Sequence, residues 1–208
     1  MTNIVFAKNV TLHDLEEKFH LSLNEEMAFF QEWRVNVPTM TSQEQQLLDK
    51  LKAGYLNLIK YPPMLEHAVQ MAVLAPLLYL ADFYLPPFHI TAETAMSISN
   101  ADEDITIEGN MDILVLKEHL WVMVIESKRA SFSVEVGLAQ LLAYILGSPN
   151  ADQTNFGLIT TGGSCLFVKL IAAQTPQYGL SRIFELRNPG NELYDVLSIL
   201  KHFRQMFS

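Results

Sequence analysis

Asp112, Glu126 and Lys128 stand in a segment, residues 109–129 (GNMDILVLKEHLWVMVIESKR), that is otherwise dominated by Ile, Leu, Val, Met and Trp. A carboxylate or an ammonium in apolar surroundings costs free energy unless it is paired or holds a metal. Side chains alternate along a strand, so Leu120, Val122 and Val124 are expected to share a face with Glu126 and Lys128, with Trp121, Met123, Ile125 and Ser127 on the other. Both faces are apolar, which makes the strand a central one. For Asp112 to share the face of Glu126 and Lys128, positions paired across the hairpin must sum to an even number. That excludes an unbulged two-residue turn at Lys117 and Glu118. A three-residue turn of Lys117, Glu118 and His119 pairs Asp112 with Val124. Glu126 is then the diagonal neighbour of Asp112, at roughly 7–8 Å between side-chain origins, a gap suited to a cation held by both carboxylates. All three charged groups are expected in one pocket.

Asp112, thirteen residues, Glu126-Ser127-Lys128, then a helix carrying Gln140 and Tyr144: this series resembles the PD-(D/E)XK nuclease superfamily. The Gln-x-x-x-Tyr on the following helix is most similar to the N-terminal endonuclease domain of type I restriction enzyme R subunits. The likeness spans roughly residues 60–170 and includes the order of elements. Met111 stands where the superfamily's name has proline. No G-x-x-x-x-G-K-[ST] motor motif is present, so the resemblance is to a free-standing nuclease module, not a whole R subunit.

The resemblance implies a restriction-endonuclease-like fold and Mg²⁺-dependent hydrolysis of DNA phosphodiesters, in a prokaryotic setting of restriction or repair. Asp112, Glu126 and the Ser127 carbonyl become the Mg²⁺ ligands, with Mn²⁺ as substitute, a hard-oxygen set that leaves positions open to water and phosphate. Lys128 positions the attacking water and offsets charge on the phosphate. Gln140 and Tyr144 contact the site or DNA, and Glu66 is the auxiliary first-helix acid.

Each feature also has a plainer explanation. An Asp and a Glu-x-Lys on adjacent strands can form a solvated sheet end. Gln140 and Tyr144, four residues apart on one helix face, are on their own more often helix surface and core edge. Glu66 follows Pro63 in a first helical turn, where a carboxylate favours the macrodipole. The six histidines show no metal-ligand spacing, and Gly162-Gly163 is a turn, not a phosphate loop.

The elements that must position these residues follow from periodicity. Thr11 with Asp14, and Thr41 with Glu44, match the capping-box pattern at helix starts. After Tyr61, Pro62 and Pro63 a third helix is expected to run to about Tyr84, kinked at Pro76. Three strands follow as an antiparallel meander, over residues 88–98, 104–116 and 119–129, with SNADED as the first turn. A helix over 133–147, strands over 155–161 and 164–171 around the Gly162-Gly163 hairpin, a strand over 181–186 and a helix from near Asn191 complete the pattern. The expected class is α/β, a mixed sheet flanked by helices in one domain of 208 residues. Residues 1–60 are expected to form a helical N-terminal extension and residues 61–208 the nuclease-like core.

Half of the residues are hydrophobic, ample for a core. The one cysteine, Cys165, excludes an internal disulfide. With no cationic segment and apolar run at the start, the expected location is the cytoplasm. The most apolar run, residues 68–84, contains Gln70, Pro76 and Asp82 and is too short and polar to span a bilayer. A net charge of −9 is the wrong sign for bulk attraction to nucleic acid. DNA is therefore an expected partner held weakly by the chain alone and assisted by metal or by a second protein. Two other readings stand beside it: a non-catalytic member of the fold that binds a protein partner, which the acidic balance and the lack of a basic cluster suit, and a structural homodimer whose apolar N-terminal helices form the interface.

Overall fold

The computed structural model describes residues 3–100, 105–150, 153–173 and 175–208. The chain is an α/β protein built on a mixed eight-stranded sheet. Its elements are β1 (Asn3–Phe6), α1 (Leu12–Phe19), β2 (Ser22–Leu23), α2 (Ser42–Leu58), α3 (Glu66–Val69), α4 (Ala75–Leu80), β3 (Phe88–Asn100), β4 (Ile105–Lys117), β5 (Leu120–Ser127), α5 (Leu138–Leu146), β6 (Thr154–Thr160), β7 (Ser164–Ile171), β8 (Gln177–Glu185) and α6 (Leu193–Met206). The strand order is β1-β4-β5-β6-β7-β8-β2, with β3 on the other side of β4. The β1–β4, β5–β6 and β2–β8 pairs are parallel and the rest antiparallel. The parallel step from β5 to β6 is made through α5, since parallel neighbours need a crossover connection.

An apolar layer lies on each face of the sheet. Leu48, Val73, Leu77 and Phe203, from α2, the α3–α4 helix and α6, pack on Met123, Ile125, Phe156 and Phe167. Phe156 and Phe203 stack with ring centroids 4.0 Å apart. On the other face Leu15 of α1 and Leu141, Leu142 and Ile145 of α5 pack on Ile107, Leu114, Val124 and Val168. Both capping boxes form as expected. Thr11 and Thr41 accept from the amides of Asp14 and Glu44, whose carboxylates accept from the cap amides in return. Among the described residues no helix is long and apolar enough to cross a membrane.

The third helix changes its hydrogen-bond pattern ahead of the proline. Pro76 has no amide to give, and just before it residues Gln70–Leu74 widen into a π turn in which the Ala75 amide donates to the Gln70 carbonyl. The helix ends at Leu80, short of Tyr84, and Asp82 takes a φ of 61° beyond it. The segment expected as one helix over 133–147 opens instead with a 3-10 turn, Val134–Gly137.

Three further expectations are corrected. Residues 1–60 are not a purely helical extension, because β1 pairs with β4 and β2 with β8 inside the sheet. Strands of four and two residues have too little periodicity to be recognised without their partners. The last strand begins at Gln177, earlier than 181. The hairpin between β4 and β5 turns on two residues, Glu118 and His119, with Lys117 opposite Leu120. The register then slips at Val122: Leu116 pairs with Trp121, but Val115 pairs with Met123. This bulge restores the even sum by a different route from a three-residue turn. It also moves Trp121 to the α5 face and Val122 to the opposite one. The expected SNADED turn lies partly outside the described residues: Ser99 and Asn100 still pair in β3, and Ala101 to Asp104 are not described.

Candidate functional site

β4 is flanked by β3 on one side, and on the other first by β1, opposite residues 105–108, and then by β5, opposite residues 113–117. β1 runs parallel to β4 and β5 antiparallel, so their C-terminal ends point at each other. Between them residues 109–112 have no strand partner on that side among the described residues. Asp112 borders this window. Continuing the pairs Leu114 with Val124 and Ile113 with Ile125 sets Glu126 directly opposite Asp112, closer than the diagonal relation expected.

Two hydrogen-bonded chains meet at the window. On the α5 side, Lys128 Nζ donates to Glu126 Oε1 at 2.7 Å and to Gln140 Oε1 at 2.8 Å. Gln140 Nε2 donates to the Tyr144 hydroxyl at 2.8 Å, which donates to the Asn110 carbonyl at 2.8 Å. Gln140 and Tyr144 therefore act as a unit with the Glu-x-Lys pair, as their i, i+4 spacing allows. On the α3 side, Asp112 Oδ2 accepts from the Ser127 amide at 2.7 Å and from the Ser127 hydroxyl at 2.6 Å. Gln70 Nε2 in turn donates to that hydroxyl at 2.8 Å.

Of the three charges expected in one pocket, Glu126 and Lys128 form a buried ion pair on the α5 side, whereas Asp112 is set apart from them on the α3 side. Alternation breaks at Asp112, since Met111 and Leu114 both face α5. Glu93, opposite it in the β3 register, takes a φ of 51°. Asp112 accordingly lines a cavity of ≈380 Å³ beside Glu66, His67, Gln70 and Glu93. Glu66, the first residue of α3, thus joins Asp112 rather than Lys128. Ser127 holds Asp112 through its amide and hydroxyl, a role that the sequence analysis did not assign to its side chain.

Electrostatics link the two sides. Glu126 is 2% exposed, and burial, then the Asp112 charge, push its carboxyl up to about 7, against the pull of Lys128; Glu66 raises it further. Glu126 Oε2 is buried and, among the described residues, has no hydrogen-bond partner. Two carboxylates, Asp112 and Glu66, thus act on Glu126 against one ammonium, Lys128, a formal excess of two negative charges for the four groups. Burial, partly offset by the Gln140 bond, pushes the Tyr144 phenol up to about 12, so it stays a neutral donor.

The donor set is all hard oxygen, with one orphaned carboxylate oxygen buried in it, and this fits a small divalent cation held by one or two carboxylates. Among the described residues no group of three or more His, Cys, Asp or Glu is arranged to hold a metal ion. Ligands beyond Asp112 and Glu126 would have to come from the Ser127 carbonyl, water or substrate.

Gln70 and Gly137 are positioning residues beyond those expected from the sequence. Gln70 lies four residues after Glu66 and is a polar side chain in an apolar helical run, a signal that was available. Gly137 packs where a Cβ would stand 3.3 Å from Lys128 Cε and 3.6 Å from Glu126 Cγ, which only the folded chain reveals. No family model matches the chain, and no curated protein matches it.

Proposed function

We propose that the chain is a divalent-metal-dependent nuclease of the restriction-endonuclease-like fold, hydrolysing phosphodiester bonds of DNA. The observation that carries this reading is the buried Glu126, whose carboxyl is raised to about 7 by burial and by Asp112 and Glu66 and which, among the described residues, has one unpartnered oxygen and Lys128 as its opposing ammonium. Such a charge excess is costly by itself and is relieved by a cation. The fold assignment is supported by a β3–β4–β5 meander with Asp112 and Glu126 on neighbouring strands, followed by α5 with Gln140 and Tyr144.

Asp112 from the α3 side and Glu126 from the α5 side, close enough across the window for the Asp112 charge to raise the Glu126 carboxyl, would together with the Ser127 carbonyl hold Mg²⁺ or Mn²⁺, which would supply polarisation of a phosphoryl oxygen and a more acidic water. Lys128 has three donor hydrogens and spends two on Glu126 and Gln140. The third is available to a water or a phosphate oxygen, where the ammonium offsets developing negative charge. Gln140 and Tyr144 fix the direction of that ammonium by anchoring it to the Asn110 backbone.

The test is cleavage of single- and double-stranded DNA in Mg²⁺ and Mn²⁺, with Mn²⁺ binding followed by calorimetry. Wild type is expected to bind Mn²⁺ and to cut. Asp112→Ala and Glu126→Ala are expected to do neither. A wild-type protein that binds no Mn²⁺ would overturn the reading and favour a binding module in which Glu126 and Lys128 are a structural ion pair.

A further inference from the structure

A second cavity, of ≈320 Å³, lies where Arg129 and Arg187 meet Ile59, Pro62, Pro63 and Met64. The two chain segments that carry site residues lead directly into its wall. Arg129 follows Lys128, and Leu65, also in the lining, precedes Glu66, so each step is a single Cα spacing of about 3.8 Å. The backbone joins them as well, since the Ala130 amide donates to the Met64 carbonyl. We propose that this cavity takes one nucleoside phosphate unit of a single-stranded nucleic acid, its phosphate on Arg129 and Arg187 and its base against Pro62, Pro63 and Met64. The inference rests on the nuclease reading, since it supplies the subsite next to the carboxylates.

The two guanidiniums are prepared differently. Arg187 is fixed: its Nε and Nη2 donate to the two oxygens of Glu185 at 2.8 and 3.0 Å, and Glu185 also accepts from the Ser164 hydroxyl at 2.6 Å. Among the described residues its Nη1 donors have no partner, and the side chain is 66% exposed. Arg129 is exposed, and among the described residues its guanidinium has no partner. A planar fork with uncommitted donors suits a phosphate. The apolar wall suits the face of a base, which must be unpaired to reach it. The volume sits at the lower end of the range for small-molecule sites, room for a single unit and not for a base pair. A protein of net charge −9 has little bulk attraction for a phosphate track. Local anchoring of this kind is how it would hold a strand.

The experiment is anisotropy with a labelled eight-residue thymidine oligonucleotide and full-length protein in Ca²⁺, over a salt series, with cleavage in Mn²⁺ followed in parallel. Arg129→Ala and Arg187→Ala are each expected to weaken binding roughly tenfold and to lower the slope of log affinity against log salt by about 0.7. Lys117→Ala is the control. It sits at the far end of the same hairpin, on the order of 25 Å away along β5, and should change neither. Thymidine monophosphate should compete far less well than the oligonucleotide; equal competition would overturn the strand assignment in favour of a free nucleotide. Arginine variants that bind like wild type, or a wild type that does not bind the oligonucleotide, overturn the proposal. If wild type cleaves while the arginine variants bind normally, the subsite fails and the nuclease reading stands. If the arginine variants bind weakly but wild type never cleaves, the subsite stands and the nuclease reading fails.

Discussion

Ser127 gives both of its donors to one oxygen of Asp112, the amide at 2.7 Å and the hydroxyl at 2.6 Å. The carboxylate is thereby held at the border of the window in β4 by a residue whose own hydroxyl is held by Gln70. Ser127→Ala removes the hydroxyl and leaves Gln70 without this acceptor. Urea unfolding is expected to show a loss of about 1.5–3 kcal/mol, as for a hydrogen bond to a charged group. Calorimetry should show Mn²⁺ affinity falling roughly tenfold or more, as for loss of a group that orients a metal ligand. Unchanged Mn²⁺ affinity would show that Asp112 is no ligand.

The raised carboxyl of Glu126 makes metal-free stability depend on pH in a defined direction. The folded chain holds this proton up to about pH 7, whereas the ordinary value is 4.5. The contribution to folding is therefore fully present below about pH 4.5 and lost as pH rises through about 7. Glu126→Gln should remove that dependence. Unfolding in EDTA is expected to find the variant more stable than wild type at pH 8, by on the order of 2 kcal/mol, and no more stable at pH 4.5. The opposite order at pH 8 would mean that Lys128 outweighs the burial of Glu126.

Ligand and charge-stabilising roles separate on substitution. Asp112→Ala should lose Mn²⁺ binding and cleavage together. Lys128→Met deletes a positive charge near the cation, so metal binding should persist or tighten while cleavage falls by a factor on the order of 10² to 10³. Metal-free Lys128→Met should also lose stability at pH 8, since Glu126 is then buried without its counter-ion. Parallel titrations and rate measurements decide between these patterns.

Gly109 sits against the Tyr144 ring. A Cβ there would stand 2.9 Å from the Tyr144 hydroxyl, from Tyr144 Cε1 and from Ala7 Cβ. Gly109→Ala should displace the ring, weaken its bond to the Asn110 carbonyl and cost about 1–3 kcal/mol by overpacking. Tyr144→Phe, which removes the bond and keeps the ring, should cost less in melting temperature. If Gly109→Ala melts with wild type, β1 and α5 are looser around the window than described.

What the sequence disclosed and what it withheld divide by the range of the interactions. The caps at Thr11 and Thr41, the meander and the Gly162 turn follow from neighbours a few residues apart, and all are present. Gln140 and Tyr144 were legible because i, i+4 spacing is a local property. The bulge at Val122 was not, because one extra residue in an apolar strand leaves no mark in composition. Nor was the turning of Asp112 towards α3, which depends on the ends of β1 and β5 stopping short of each other across residues 109–112. Gly137 lacks a side chain for the same non-local reason: Glu126, Lys128 and Ile159 occupy the space beside it.

The π turn at Gln70–Leu74 carries one residue more than an α-helical turn would need. In length it is equivalent to an insertion, and Met71, 75% exposed, is the residue within it that the core would miss least. Excising Met71 would let the helix close as a regular α-helix, rotating everything before it by about 100° and drawing it in by about 1.5 Å relative to α4. Val69 and Val73 would no longer point inward together, and Glu66 and Gln70 would swing away from Asp112 and Ser127. A single-codon deletion at this point should therefore be far more damaging than any substitution of Met71, a contrast that a deletion scan through residues 66–80 would read out directly.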